Sequence, residues 1–247
     1  MKRIVPVIVL AILLASGSAW AADATVGIDF NSAYVWRGIT FNDGWVAQPS
    51  LTVEKNGFSL NVWGNYDIDD YDGALDDYDF SEIDLTAAYS FSVDKLELTV
   101  GIVNYLFPGS AAATAPATTE LFVGLGMNIV GGLSAAFNFY YDVDEVESYY
   151  ADLGLTYALA LTEALSMDIG AKIGYAGSDF AAYYSGGAAT DSGFYDYGFS
   201  LGLTYAVTEA LSIGAAIHYV DNLDDDVLPD ASVDTNFFGG VNISYTF

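Results

Sequence analysis

The chain has one histidine, His218, and no cysteine. A serine or cysteine nucleophile needs a base within hydrogen-bond reach. His218 shares its strand face with Ser212, Gly214 and Ala216, which is no such arrangement. The sequence therefore predicts no catalytic residue and no cofactor. The acidic run Asp67–Asp79 invites a calcium reading, because Asp70, Asp72 and Asp79, aligned on Gly73, take positions three, five and twelve of an EF-hand loop. Position one is then Ile68, and position twelve is Asp rather than the bidentate Glu, so the motif fails. A solvated acidic loop is the expectation, with a looser divalent-cation site there or at Asp224–Asp226 as the alternative. Gly124-Leu-Gly126 falls inside an alternating segment and has no phosphate-cradle context.

What remains is electrostatic. Asp29, Arg37, Glu82, Asp84, Glu97, Glu120, Asp152, Asp168, Lys172 and Asp196 all fall on the polar parity of segments that alternate with period two, as do Asn61, Trp63 and His218. Side chains of that set can line a water-filled passage. Only Arg37 and Lys172 in it are cationic, so an open pore should weakly prefer cations. Alternatively, both pair with neighbours such as Asp29 and Asp168 inside a filled interior, since an unpaired buried charge is costly.

The elements that position these residues follow from a conflict in composition. The chain has 33 acidic against 6 basic residues and a net charge of −27, yet 53% of its residues are hydrophobic. A barrel whose outer face meets lipid and whose lumen and loops meet water reconciles the two. Strong acidity excludes nucleic acid as a partner, because phosphate binding needs Lys and Arg. Without cysteine there is no disulfide framework. Twelve alternating segments can be drawn, over residues 25–39, 47–54, 58–66, 81–91, 96–105, 119–128, 133–142, 149–159, 165–176, 194–207, 211–220 and 236–247. Short connections such as Lys55-Asn-Gly57, a hairpin signal, alternate with long ones. A run at Leu155–Ser166 recurs two residues shorter at Leu203–Ser212, each copy being a strand end, a Thr-Glu-Ala turn and a strand start. By propensity alone the first copy could be a short helix, but its period-two flanks favour strands.

Two girdles of aromatics are expected at the membrane interfaces. Tyr34, Trp36, Tyr66, Tyr141, Tyr149, Tyr175, Tyr195 and Tyr219 sit next to the long connections. Phe58, Tyr89, Phe91, Tyr157, Tyr205, Tyr245 and Phe247 sit next to the short ones. An even strand number places both termini on the short-turn, periplasmic side, with six long loops outside. The fold class is thus all-β, a transmembrane antiparallel up-and-down barrel of about 12 strands.

Both ends agree. Met1-Lys-Arg3, the apolar stretch Ile4–Leu14 and Ala19-Trp-Ala21 form a secretory signal with an A-x-A cleavage site, so residues 1–21 are expected to be removed and 22–247 to form one barrel domain. The final strand, Asn236–Phe247, ends on an aromatic residue and resembles the closing strand of bacterial outer-membrane barrels. That resemblance implies that the strand ending in Phe247 is read by the barrel-assembly machinery. Asn31-Ser-Ala-Tyr-Val-Trp-Arg-Gly-Ile-Thr40, followed by Gln48-Pro49, is similar to the N-terminal signature of the TorF-like porin family. It implies a pore-forming barrel with no assigned substrate. The functional expectation is an outer-membrane channel for passive diffusion of small hydrophilic solutes, embedded in the outer-membrane bilayer of a Gram-negative cell. A closed structural or adhesin-like barrel whose acidic loops bind cations or a surface partner is the alternative, and a secreted β-sandwich is the third.

Overall fold

The computed structural model describes residues 22–71, 73, 77–108 and 116–247; the signal peptide expected over 1–21 lies outside them. Period-two alternation becomes strand throughout. The first barrel strand is β1 (Asp23–Asn31), followed by a small hairpin of β2 (Tyr34–Trp36) and β3 (Ile39–Asn42). The wall continues with β4 (Val46–Lys55), β5 (Phe58–Asp67), β6 (Phe80–Val93), β7 (Leu96–Leu106) and β8 (Thr118–Val130). It is completed by β9 (Leu133–Asp142), β10 (Tyr149–Ala160), β11 (Leu165–Ala176), β12 (Gly193–Ala206), β13 (Leu211–Asn222) and β14 (Phe237–Thr246). A helix, α1 (Ser178–Tyr184), lies between β11 and β12.

Twelve of these strands form one closed antiparallel sheet, in which β1 pairs with β4 on one side and with β14 on the other. Closure through β1 and β14 leaves no open sheet edge. The register sets opposite outward residues side by side, for example Ile28 with Ile243 and Val26 with Tyr245. Leu60, Leu121, Leu153, Phe199, Leu201, Ile217, Val241 and Ile243 are all exposed on the outside. A β-sandwich would bury that parity between two sheets; here a single closed sheet turns it outward.

Asn56 and Gly57, at φ 51° and 84°, both adopt the left-handed conformation that a two-residue hairpin turn requires. The other short turns likewise join β6 to β7, β8 to β9, β10 to β11 and β12 to β13. The Ala-Leu run before Thr162 is strand, and no helix forms there.

The first expected segment, 25–39, does not hold. Barrel pairing of β1 ends at Asn31, and the chain then folds back on itself as β2 and β3. Arg37 and Gly38 are the two residues between the paired Trp36 and Ile39, with φ 48° and 83°. That is the positive-φ pair of a tight two-residue hairpin. The physical reason is local: a turn at Arg37-Gly38 flanked by Tyr34-Val-Trp36 and Ile39-Thr-Phe41 makes a self-sufficient hairpin. Period-two alternation continues through a hairpin arm just as it does through a wall strand, so it cannot distinguish them.

Candidate functional site

The hairpin lies inside the barrel. Tyr34 donates its hydroxyl hydrogen to Glu82 Oε2 on β6 at 2.9 Å, and Gly38 approaches Asp196 on β12 and Leu228 beyond β13. The hairpin therefore reaches from one wall to the opposite one. Ile39 packs into an apolar cluster with Val146, Tyr150, Phe180, Ala181, Tyr195, Val227 and Leu228, and Trp36, Tyr140 and Tyr184 flank it. This cluster joins the hairpin, α1 and the loop after β13 into a plug that fills the lumen at the long-loop end.

The plug corrects the aromatic assignment. Tyr34 and Tyr195 are buried, and Trp36 faces Phe180 and Tyr184 rather than an outer interface. Tyr195 follows a register shift between β11 and β12, which turns its ring inward while Phe194 stays outside. Tyr149 and Tyr175, by contrast, stack on each other at 6.4 Å next to the long loops.

At the centre of the plug is Arg37. Its Nη1 and Nη2 donate to Glu120 Oε1 and Oε2, each at 2.7 Å. The guanidinium carbon lies 4.2 Å from the Trp36 ring centre, 4.4 Å from Tyr140, 4.5 Å from Tyr150 and 5.5 Å from Phe180. Tyr105 donates to Glu120 Oε2 at 2.8 Å. Burial opposes the charge on Arg37, but the facing Glu120 carboxylate outweighs it and raises the pKa above the ordinary arginine value. A bidentate charge-assisted pair inside an aromatic ring is the strong form of both interactions.

The second inward cation is also paired, since Lys172 Nζ is 2.9 Å from Asp196 Oδ2 while Tyr150 donates to Asp196 Oδ1 at 2.7 Å. Pairing of both cations matches the sequence alternative, but the partners are Glu120 and Asp196 instead of Asp29 and Asp168. A strand-by-strand reading cannot see those partners, because they lie across the barrel or on neighbouring strands in a register that only closure sets.

A third network pins the hairpin to the wall. Asn42 donates to Asp67 Oδ1 at 2.7 Å and accepts from the Gly44 amide at 2.6 Å. Asn31, Gln48 and Asn65 continue it through bonds of 2.9 Å and 3.0 Å. Burial pushes the Tyr34 hydroxyl well above the ordinary tyrosine pKa, and the Glu82 and Asp84 carboxylates add to the shift. Burial does the same to Tyr184 on α1, although nearby Arg37 opposes it.

The two ends of the lumen differ. At the long-loop end Glu120, Asp142 and Asp196 are fully buried. Toward the short turns the inward Glu97, Asn128, Thr156 and Thr204 are exposed, and a Cβ added at Gly202 would meet nothing within 4 Å. The interior is a cup, stoppered at one end and open at the other. Asp29, Asn61, Trp63, Asp84, Asp152 and Asp168 lie between these extremes, all partly covered. Asp152 accepts from Asn138 at 3.0 Å. His218 stacks on Phe238 at 4.9 Å and stands opposite Ser200 in the β12–β13 register. No group of three or more His, Cys, Asp or Glu suited to a metal occurs among the described residues; part of the acidic loop, residues 72 and 74–76, lies outside them.

Tyr105, Tyr140, Tyr150 and Phe180 carry no charge and look in the sequence like ordinary strand or loop aromatics. The usable signal was the Arg37-Gly38 turn dipeptide. Residues 15–242 match the family described as "Bacterial protein of unknown function (Gcw_chp)". The chain belongs to the Gcw_chp family. No curated protein matches the sequence of this Gcw_chp chain. Among solved structures, the chain is similar to the KdgM porin, at 11% identity and a TM-score of 0.56 over 90% of this chain and 99% of that one. It is also similar to the NanC porin, at 10% identity and a TM-score of 0.52 over 91% of this chain and 98% of that one. A further KdgM structure, at 11% identity and a TM-score of 0.54 over 91% of this chain and 99% of that one, is in complex with disordered oligogalacturonate. At such identities the likeness is one of fold.

Proposed function

We propose that this Gcw_chp chain is an outer-membrane channel for small hydrophilic solutes, weakly cation-preferring and stoppered at rest by its own hairpin. The observation that carries the reading is the closed 12-strand barrel, apolar outside and polar inside. Only a closed barrel or a helix satisfies its backbone within lipid, and the exposed belt of Leu, Ile, Val and Phe fits a hydrocarbon environment. Long loops then face outward, and both termini and the open cup face the periplasm. The similarity of Asn31–Thr40 to the TorF-like porins supports this placement. The strand Phe237–Thr246, leading to Phe247, is the segment offered to the assembly machinery.

Charge selectivity follows from which side chains are already committed. Arg37 and Lys172 are neutralised by Glu120 and Asp196, whereas Asp29, Glu97, Asp152 and Asp168 also point inward. A permeating ion meets mainly carboxylates. A polyanion of the oligogalacturonate kind is therefore an unsuitable solute for this lumen.

The test is conductance of the refolded mature chain in a planar bilayer under a salt gradient. Brief or rare openings in the wild type, more frequent ones in a Glu120→Gln variant and a cation-selective reversal potential are expected. Silence from both, in protein shown to be folded by heat-modifiable migration, would leave the closed structural barrel as the reading.

A further inference from the structure

The guanidinium cage has most of its walls on parts of the molecule that do not move with the hairpin. Only Trp36 arrives with Arg37. Glu120 stands on β8, Tyr105 on β7, Tyr140 on β9, Tyr150 on β10 and Phe180 on α1. Two of these walls are braced without Arg37: Tyr105 holds Glu120 at 2.8 Å, and Asp196 holds the Tyr150 hydroxyl at 2.7 Å. If the hairpin withdrew, Glu120, with a side chain 2% exposed, would be left as a buried carboxylate facing aromatic rings. That is a binding site for a planar cation, since a guanidinium offers parallel N–H donors to a carboxylate and a flat face to the rings.

From this geometry we infer that the cage is a ligand site for free organic cations with a guanidinium group, and that Arg37 occupies it as a built-in competitor. A solute arriving from the long-loop side exchanges with Arg37 and frees the hairpin. Two features suit the hairpin to exchange. Arg37 itself sits in the left-handed conformation, at φ 48°, which an L side chain adopts at a cost. The hairpin is also short, with arms of three and four residues. The acidic loop residues Asp69, Asp70 and Asp224–Asp226, all at least partly exposed, concentrate cations at the entrance. The inference rests on the channel reading only for its consequence, that exchange opens the pore; binding itself does not depend on conduction.

The experiment titrates agmatine into the refolded full-length mature chain in detergent and follows binding by calorimetry, with putrescine as the analogue that lacks the guanidinium. Removing the competitor in Arg37→Ala should tighten agmatine binding by about tenfold or more over wild type. Putrescine should gain far less, and Arg37→Ala with Glu120→Gln should lose the gain. Should Arg37→Ala not refold, the wild type carries the test through hydrogen exchange of amides 34–42, which agmatine should accelerate and putrescine should not. Equal binding of the two amines, or no agmatine effect on either readout in folded protein, overturns the inference. Agmatine binding in a chain that never conducts would uphold the site and sink the channel; conduction in a folded chain that binds no agmatine would do the reverse.

Discussion

Glu120 is central to the plug, because it is the counter-ion of the buried Arg37 guanidinium. Glu120→Gln preserves the shape and leaves Arg37 charged and unpaired, which costs about 3–5 kcal/mol when a buried pair is broken from one side. The expected result is a lower urea midpoint in detergent, accompanied by faster exchange of amides 34–42 than of the wall strands. The plug tyrosines make a separate prediction about pH. Tyr34 and Tyr184 are held protonated by their surroundings, so between the ordinary tyrosine pKa of about 10 and their raised values the folded chain binds more protons than the unfolded one. Stability should therefore be level up to about pH 10 and fall above it. Urea midpoints measured from pH 8 to 11 check this, and a midpoint that stays level to pH 11 would contradict it.

Among the elements, the hairpin and the wall answer to different rules. Gly38 has φ 83°, and a Cβ there would lie 2.7 Å from Asp196 Cβ and 2.8 Å from Leu228 Cδ2. Gly38→Ala is strained in both backbone and packing, at a cost of about 1–3 kcal/mol, and should unseat the plug without disturbing the barrel. Increased conductance with unchanged heat-modifiability is the expected pair of results. On β12, neighbouring residues give opposite outcomes. Leu201 is outward and mid-strand, so Leu201→Arg should cost about 2–4 kcal/mol near the bilayer midplane. Gly202 faces empty lumen, and Gly202→Ser should be close to neutral; folding titrations into lipid vesicles distinguish the two.

For the molecule as a whole, the formal charge of −27 is divided between water-facing loops and the lumen, and the hydrocarbon-facing surface is kept free of it. Selectivity should consequently be a property of the lumen. Neutralising Asp29, Asp152 and Asp168 together should move the reversal potential toward zero. Raising the salt should do the same in the unmodified chain, because a wet lumen is screened within about 10 Å at 0.1 M. A reversal potential insensitive to both would assign selectivity to the outer loops instead.

The amino-acid sequence by itself determined the barrel. Period-two alternation, charges confined to one parity and turn dipeptides such as Asn56-Gly57 are local properties, and an outward apolar face forces the same answer on every wall strand, so strand number and most boundaries were legible. It also marked Arg37, Glu120, Lys172 and Asp196 as inward charges. What only the tertiary structure decided was which of them meet. Arg37 and Glu120 are 83 positions apart, and their contact depends on a hairpin turning into the lumen, which alternation cannot distinguish from a continuing strand. The cage rings were hidden for a related reason: Tyr140 and Tyr150 are neighbours in the β9–β10 register, and they acquire their role only when Arg37 and Phe180 of α1 pack against them inside the lumen, a convergence that has no period in the sequence.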